Sequence, residues 1–347
     1  MIEKHSIKDS ATIKDALLKL NELEHGAMTL FVIDNYGKML GSVSDGDIRR
    51  GLLSNVELSH QVSAVMNKSF RYLSGSNFSM KTLKQYREAK IYLLPVLDDD
   101  FILTDIIDLS AKHSWLPIDV LIMAGGEGRR LRPLTIDTPK PMLLVGDKPI
   151  LEHNIQRLIQ YGVSRIHISV KYLQEKIISY FGDGANRNIE IKYIKETEPL
   201  GTIGALSLIN EFKYEYVLVM NADVLTTIDL EDMFLALEQT NGDMAVASSG
   251  YEVKVPYGVI EINDQLITGL KEKPVYTYFS NAGIYLIKRE VLHYLQVGQA
   301  FNATDLMELL IAKNRKVINY PILGYWLDIG GHEALKKAQA DIKHLEL

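Results

Sequence analysis

Two groups of residues in this sequence have types and spacings suited to chemistry at phosphorus. The first is Gly125-Gly126-Glu127-Gly128-Arg129-Arg130-Leu131-Arg132-Pro133-Leu134-Thr135, followed shortly by Pro139-Lys140-Pro141-Met142-Leu143. A glycine-rich turn after a strand lets backbone N–H groups approach phosphate oxygens closely. Arg129, Arg130, Arg132 and Lys140 add positive charge at that turn, in a chain that is otherwise acidic. Two familiar glycine loops are excluded. A P-loop needs Gly-Lys-Ser/Thr after its second glycine, and a dinucleotide fingerprint starting at Gly126 needs glycine where Leu131 stands. The second group is Asn221-Ala222-Asp223, which ends the apolar run Tyr216–Met220. An aspartate at the carboxyl end of a central strand lies where ligands bind in open α/β sheets. The nine histidines are scattered and form no cluster for a transition metal.

These residues need elements to position them. From Asp119 onward apolar runs alternate with helical patterns: Asp119–Ala124, Leu151–Tyr161, Arg165–Val170, Leu173–Phe181, Ile189–Ile194, Ile203–Ile209 and Tyr216–Met220. Strands alternating with helices read as βαβ units and a mainly parallel sheet. After Met244 the pattern becomes mixed, with short strands expected at Gly258–Ile262, Leu266–Lys271 and Ala282–Ile287, and a closing helix at Leu335–Leu345.

The first third differs. Helix, strand, turn and strand follow one another at Thr12–Leu23, Leu30–Ile33, Asp34–Gly37 and Met39–Ser44. They recur at Met80–Ala89, Tyr92–Leu97, Asp98–Asp100 and Phe101–Thr104. Aligning Ser44 with Thr104 gives an offset of 104 − 44 = 60 residues, and a twofold repeat of this kind implies a small pseudo-symmetric domain. The expected organisation is therefore a repeat domain at 1–112, a linker at 113–117 and an α/β domain at 118–347.

Composition bounds the remaining choices. With 347 residues, about two domains are expected. The chain is 47% hydrophobic and 24% charged, which suits a folded globular protein rather than disorder. Lysine and arginine number 38 against 44 acids, so 38 − 44 = −6, and neither nucleic acid nor an anionic membrane is the expected partner. The absence of cysteine excludes disulfides, thiolate nucleophiles and Cys-ligated metal centres. Met1–Ser10 has no apolar signal-peptide core and the apolar runs are short, so a cytoplasmic chain is expected.

The motifs of residues 118–347 closely resemble the sugar-1-phosphate nucleotidyltransferase family, over nearly the whole segment and in the expected order. That resemblance implies a Rossmann-like α/β domain and transfer of a nucleotidyl group from an NTP to a sugar 1-phosphate, releasing pyrophosphate. It implies that Arg130 grips the triphosphate, that Lys140 contacts phosphate on the sugar side, and that Asp223 and Asp328 (in Gly324-Tyr325-Trp326-Leu327-Asp328-Ile329-Gly330) hold Mg²⁺. Two carboxylates suit that ion, which fills its shell with phosphates and waters. Ala124, Gly125, Gly126 and Gly128 belong to the nucleotide-binding loop. Lys271-Glu272-Lys273-Pro274 resembles a sugar-binding element in which Glu272 takes hydroxyls and Lys273 the phosphate, and Asn281-Ala282-Gly283 resembles the next sugar-contacting strand.

Glu196-Thr197-Glu198-Pro199-Leu200-Gly201-Thr202-Ile203-Gly204-Ala205 resembles the family's nucleobase loop and the helix behind it. Gly201 and Gly204 are expected to let backbone approach a planar base. A carboxylate at Glu196 only accepts hydrogen bonds, and guanine offers the adjacent donors N1–H and N2–H₂, so GTP is the expected donor. In the first third, Gly41-Ser42-Val43-Ser44-Asp45-Gly46-Asp47 resembles a cystathionine-β-synthase (CBS) motif. This implies an adenine-nucleotide site with Ser44 on phosphate and Asp47 on ribose. With Ile107 aligned to Asp47, one site at most is expected, and the pair could equally serve as a dimerisation platform in a homo-oligomer. A CBS pair ahead of such a transferase resembles the glucosamine-1-phosphate guanylyltransferases of bacterial legionaminic-acid synthesis. GTP and glucosamine 1-phosphate are thus the first expectation, with mannose 1-phosphate, heptose 1-phosphate, or uridylyl and thymidylyl transfer behind. A catalytically inactive nucleotide-sugar sensor is the alternative of a different class.

Overall fold

The computed structural model describes residues 1–23, 28–75, 79–110 and 113–345. The chain divides into two compact units, Met1–Trp115 and Leu116–Leu347, and the division falls inside the expected linker.

The first unit holds two three-stranded sheets of one design. Strands β1 (Ser6–Lys8), β2 (Thr29–Ile33) and β3 (Met39–Ser44) form one, and β4 (Leu73–Ser74), β5 (Leu93–Leu97) and β6 (Leu103–Asp108) the other. In each, a parallel pair is followed by an antiparallel hairpin. Helices α1 (Ile2–His5), α2 (Ile13–Asn21), α3 (Asp45–Leu53) and α4 (Met80–Glu88) accompany them. α2 starts where Thr12 and Asp15 form a capping box, and it buries Ile13, Ala16 and Leu20 at helical spacing.

The register corrects the expected repeat. Ile33 pairs with Met39 and Val32 with Gly41, across an irregularity; Leu97 pairs with Leu103 and Val96 with Asp105, across the same irregularity. Asp34 accepts from the amides of Tyr36 and Lys38, and Asp98 from those of Asp100 and Ile102. The offset is therefore 98 − 34 = 64. Ser44 corresponds to Asp108, not Thr104, and Ile107 is not the counterpart of Asp47. That counterpart is Ala111, which lies outside the described residues. The sequence reading slipped because Thr104 offers a hydroxyl like that of Ser44, whereas the register sets the carboxylate Asp108 at that position.

The second unit is built on a seven-stranded sheet. Its chain order begins with β7 (Ile118–Met123), a small hairpin of β8 (Leu144–Val145) and β9 (Lys148–Pro149), then α5 (Ile150–Gln160), β10 (Arg165–Val170), α6 (Gln174–Phe181), β11 (Glu190–Lys195), β12 (Tyr216–Asn221), β13 (Val224–Thr226) and α7 (Leu230–Thr240). It continues with β14 (Met244–Lys254), β15 (Val259–Asn263), β16 (Leu266–Lys271), β17 (Val275–Lys288), α8 (Ala303–Ala312), β18 (Val317–Pro321), β19 (Trp326–Asp328) and α9 (His332–Asp341). The sheet order is β11-β10-β7-β12-β17-β14-β18. Four neighbouring pairs are parallel and two, both involving β17, are antiparallel, which is the mixed, mainly parallel sheet expected. β7 and β12 are nearly continuous apolar runs because both faces are covered, and β10, although it alternates, is buried at all but its first residue. Residues 203–209, expected as a helix, form only a short 3₁₀ turn at Gly204–Leu208, since Gly204 packs directly against the Gln299 carbonyl.

Candidate active site

The glycine loop leaves the carboxyl end of β7, as the parallel sheet requires. Gly128 has φ +62°, and a Cβ there would lie 2.9 Å from the Cβ of Lys140. Glycine at this position is what allows the loop and the lysine turn to close on each other. The buried Thr135 hydroxyl donates to the Gly128 carbonyl at 2.9 Å, and the Tyr172 hydroxyl ties down the carbonyls of Thr135 and Ile136. Gly126 differs: no protein atom lies within 4 Å of the Cβ it lacks. Nothing in the fold requires that glycine, so the open space is available to a ligand.

Lys140 is buried at 9% exposure and its ammonium bonds the Asp223 carboxylate. Asp328 is 3.9 Å from the same ammonium. Two hydrogen-bonded neighbours bring the acids together: β13 pairs with β19 so that Val224 faces Asp328, and the Ile329 amide donates to the Asp223 carbonyl at 3.0 Å. Burial, then the nearby Asp223 carboxylate, pushes the Asp328 carboxyl above its ordinary range, while Lys140 and Arg130 oppose the shift. Arg130 lies against Gly330, where a Cβ would sit 3.1 Å from its guanidinium. Gly330 thus leaves room for that cation beside Asp328. Among the described residues no cluster of three or more His, Asp or Glu side chains forms a cation site. The donor set is two carboxylates, an oxygen-only pair of the kind hard divalent ions take when phosphates and water complete the shell.

Beside this group is a cavity of about 720 Å³, bounded by the glycine loop, Lys171, Glu196, Gly201 and Asn221. Glu196 is half-buried, and both its oxygens are already held. One accepts from the Ser169 hydroxyl and the other from the Leu200 amide at 3.0 Å. A carboxylate has about four acceptor sites, so two remain unfilled in a residue that lines the cavity. Gly201 lines this cavity, but its freedom serves another contact: φ is +71°, and a Cβ would lie 2.7 Å from the Phe301 carbonyl. The close approach that Gly201 and Gly204 permit is therefore to the chain's own 299–302 segment. Ala124 is buried behind the cavity wall with its amide donated to the Ser169 carbonyl.

Gly283 (φ +70°) lies against Asn221; a Cβ would fall 2.4 Å from that amide nitrogen. Asn281 accepts from the Gly283 amide at 3.0 Å, so Asn281 and Gly283 fix the wall at the end of β12. Glu272 and Lys273 are not brought into this wall. They are exposed, just beyond β16, and neither lines the cavity or joins the Lys140 cluster. Ser169, Lys171 and Asn154, whose amide donates to the Ala222 carbonyl at 3.2 Å, were missed from sequence. Ser169 and Lys171, at the end of an ordinary parallel strand, carry no motif of their own.

In the first unit, Ser44 caps α3 and Asp47 completes the capping box. One Asp47 oxygen accepts from the Ser44 amide and hydroxyl, at 2.8 and 2.6 Å, and the other pairs with Arg50 at 2.5 Å. Both residues border a cavity of about 600 Å³ to which Arg71, Lys90 and Tyr92 also contribute.

Comparison with known proteins gives the family to which this fold belongs. The chain belongs to the nucleotidyl transferase family, whose model matches residues 119–344; the CBS-domain model matches residues 2–54. Among similar proteins, the bifunctional protein GlmU of Methanococcus maripaludis is 34% identical over 223 residues, 61% of this chain and 51% of that one. A D-glycero-α-D-manno-heptose 1-phosphate guanylyltransferase of Aneurinibacillus thermoaerophilus is 29% identical over 230 residues, 65% of this chain and 99% of that protein. The chain spans about half the length of the GlmU relatives it matches. A putative glucose-1-phosphate thymidylyltransferase from Bacillus anthracis shares the fold, with TM-score 0.54 and 24% identity over 66% of this chain and 97% of its own. No helix among the described residues is long and apolar enough to cross a membrane.

Proposed function

We propose that this chain transfers a nucleotidyl group from GTP to a sugar 1-phosphate, with glucosamine 1-phosphate the first candidate, giving GDP-glucosamine and pyrophosphate. The observation that carries the reading is the convergence of the glycine loop, Lys140, Asp223 and Asp328 at one end of the sheet, beside a nucleotide-sized cavity. An oxygen of the sugar phosphate attacks the α-phosphorus in line, and the bond to the pyrophosphate oxygen breaks. The loop amides and Arg130 hold the triphosphate, while Lys140 neutralises charge between the two phosphates. Asp223 and Asp328 would hold Mg²⁺, which supplies charge neutralisation at the phosphates when bound.

Glu196, preset by Ser169 and Leu200, supports guanine through its open acceptor sites. The names of relatives that are mannose-1-phosphate and heptose 1-phosphate guanylyltransferases support the same base and keep those two sugars as the next candidates. Glu272 and Lys273 would engage the sugar phosphate from the exposed loop after β16. In the first unit, one adenine nucleotide per chain is proposed at the Ser44–Asp47 wall. Legionaminic-acid synthesis is the setting suggested by a CBS domain ahead of such a transferase domain. The deciding experiment is pyrophosphate release from the purified chain over a grid of the nucleoside triphosphates against glucosamine, mannose, glucose and heptose 1-phosphates. Turnover confined to GTP with one sugar supports the reading; none across the grid overturns it.

A further inference from the structure

The two strands behind the cavity end side by side. β10 and β11 run parallel and in register, from Arg165 beside Glu190 to Val170 beside Lys195. One step further on, the Glu196 amide donates to the Val170 carbonyl at 3.0 Å, which carries the pairing past the end of β10 and sets Lys171 next to Glu196. Gly125 meets the same point from the glycine loop. A Cβ there would lie 3.5 Å from the Cβ of Lys171 and 3.6 Å from a carboxylate oxygen of Glu196. An amine on a flexible stem and a preset carboxylate therefore share one wall of the cavity.

Lys171 is half-buried, and among the described residues its ammonium takes part in no hydrogen bond or ion pair. Arg129, the other cation lining the cavity, is already paired with Glu127 at 2.7 Å. Glu127 lines the cavity too. Its carboxyl is held below the ordinary range chiefly by Arg129, with smaller attractions from Arg132 and Lys171. The Lys171 charge is thus felt on the cavity side, while Glu127 is satisfied by two arginines. Lys171 keeps its donors to spare.

A free donor beside an acceptor with unfilled sites is a recognition pattern. The edge of guanine presents two adjacent donors, N2–H₂ and N1–H, and then the acceptor O6. Adenine carries an amino group where guanine has O6, which a cation repels. Uracil and thymine offer one donor between two acceptors, which leaves the carboxylate facing a lone pair. Guanine alone suits both groups at once.

We propose that Lys171 is a specificity-determining residue that donates to O6 of a guanine whose N1–H and N2–H₂ face Glu196. The assignment rests on nucleotidyl transfer with GTP as donor, and adds to it a second contact at a different atom of the base. Lysine suits guanine O6 because a charged donor makes the stronger hydrogen bond.

The test measures pyrophosphate release by the full-length protein and its Lys171→Met variant, with GTP and with ITP, which keeps O6 and N1–H but lacks the 2-amino group. Inhibition of the GTP reaction by added pyrophosphate is measured on both proteins. In Lys171→Met, kcat/KM should fall by roughly 5- to 150-fold for both nucleotides. The inhibition constant of pyrophosphate should not move, and Lys171→Arg should keep most of the parent value. Unchanged kcat/KM for GTP overturns the contact. So does an equal weakening of pyrophosphate, which assigns Lys171 to the phosphates, and so does a loss with GTP alone, which assigns it to the 2-amino edge. Lys171→Arg as weak as Lys171→Met overturns it as well. Each of those results, in a parent that prefers GTP, leaves the proposed function standing. A parent that prefers another nucleotide, or turns over none, overturns the proposed function and this contact together.

Discussion

The two sides of the proposed site are built differently. On the nucleotide side, Arg130 and Asp328 are exposed but the groups around them are held by the core: Lys140 is buried against Asp223, Glu196 is gripped at both oxygens, and Thr135 and Tyr172 pin the glycine loop. On the sugar side, Glu272 and Lys273 are exposed on a loop after a two-stranded hairpin. A preorganised wall costs no reorganisation when charge develops at phosphorus. An exposed loop tolerates change and can take up different sugars without disturbing the sheet. On the proposed function, transfer chemistry is placed on the sheet and substrate choice outside it.

The largest effect should come from breaking the rigid side. Asp223→Asn removes a charge from the carboxylate pair, and turnover should fall by about 10²–10³ or more. Pyrophosphate release in saturating Mg²⁺ reads this, and activity within a few-fold of the parent would remove Asp223 from the site.

Next come the two glycines that differ in their surroundings. Gly128→Ala forces a Cβ into Lys140 at a positive φ, costing roughly 1–3 kcal/mol in stability and about 10²-fold in kcat/KM through displacement of the loop. Gly126→Ala meets no protein atom, so its thermal midpoint should match the parent while the KM for nucleotide rises. If the two variants lose equal stability, the space at Gly126 is not reserved for a ligand.

Glu196→Gln should shift the ratio of kcat/KM for GTP over UTP by roughly tenfold to a few-hundredfold, the scale of mispairing a buried polar group. An unchanged ratio would mean that backbone groups read the base.

Smaller effects are expected on the exposed side. Glu272→Ala and Lys273→Ala should each raise the KM for sugar phosphate several-fold. Stability should stay within about 0.5 kcal/mol of the parent, as for most surface changes. Nucleotide affinity measured by calorimetry should not move; if it falls with the sugar affinity, the two sides are not separable.

The smallest catalytic effect should come from the first unit. Asp47→Ala removes a capping box and an ion pair to Arg50, costing about 1 kcal/mol in that unit. It should also abolish adenine-nucleotide binding seen by calorimetry. Binding that persists unchanged would leave Asp47 with its helix-capping role alone.

Much of this was legible in the residues themselves. Strand Arg165–Val170 and strand Leu266–Lys271 were read to the residue, because periodicity and β-branched content report local environment directly. The glycine loop, Lys140, Asp223 and Asp328 were legible as motifs, since phosphate chemistry restricts which side chains and turns can serve. Three features were not. The repeat offset of 64 depended on hydrogen-bond register, where composition alone fitted 60 nearly as well. The purpose of Gly201 and Gly204 depended on the 299–302 segment, about a hundred residues away. Ser169 became the holder of Glu196 only when β10 and the end of β11 were laid side by side. Sequence determined which elements form and which chemistry the chain can support, because propensity, periodicity and charge are local. Tertiary structure alone decided which oxygen meets which donor, because that depends on close contacts between segments remote along the chain.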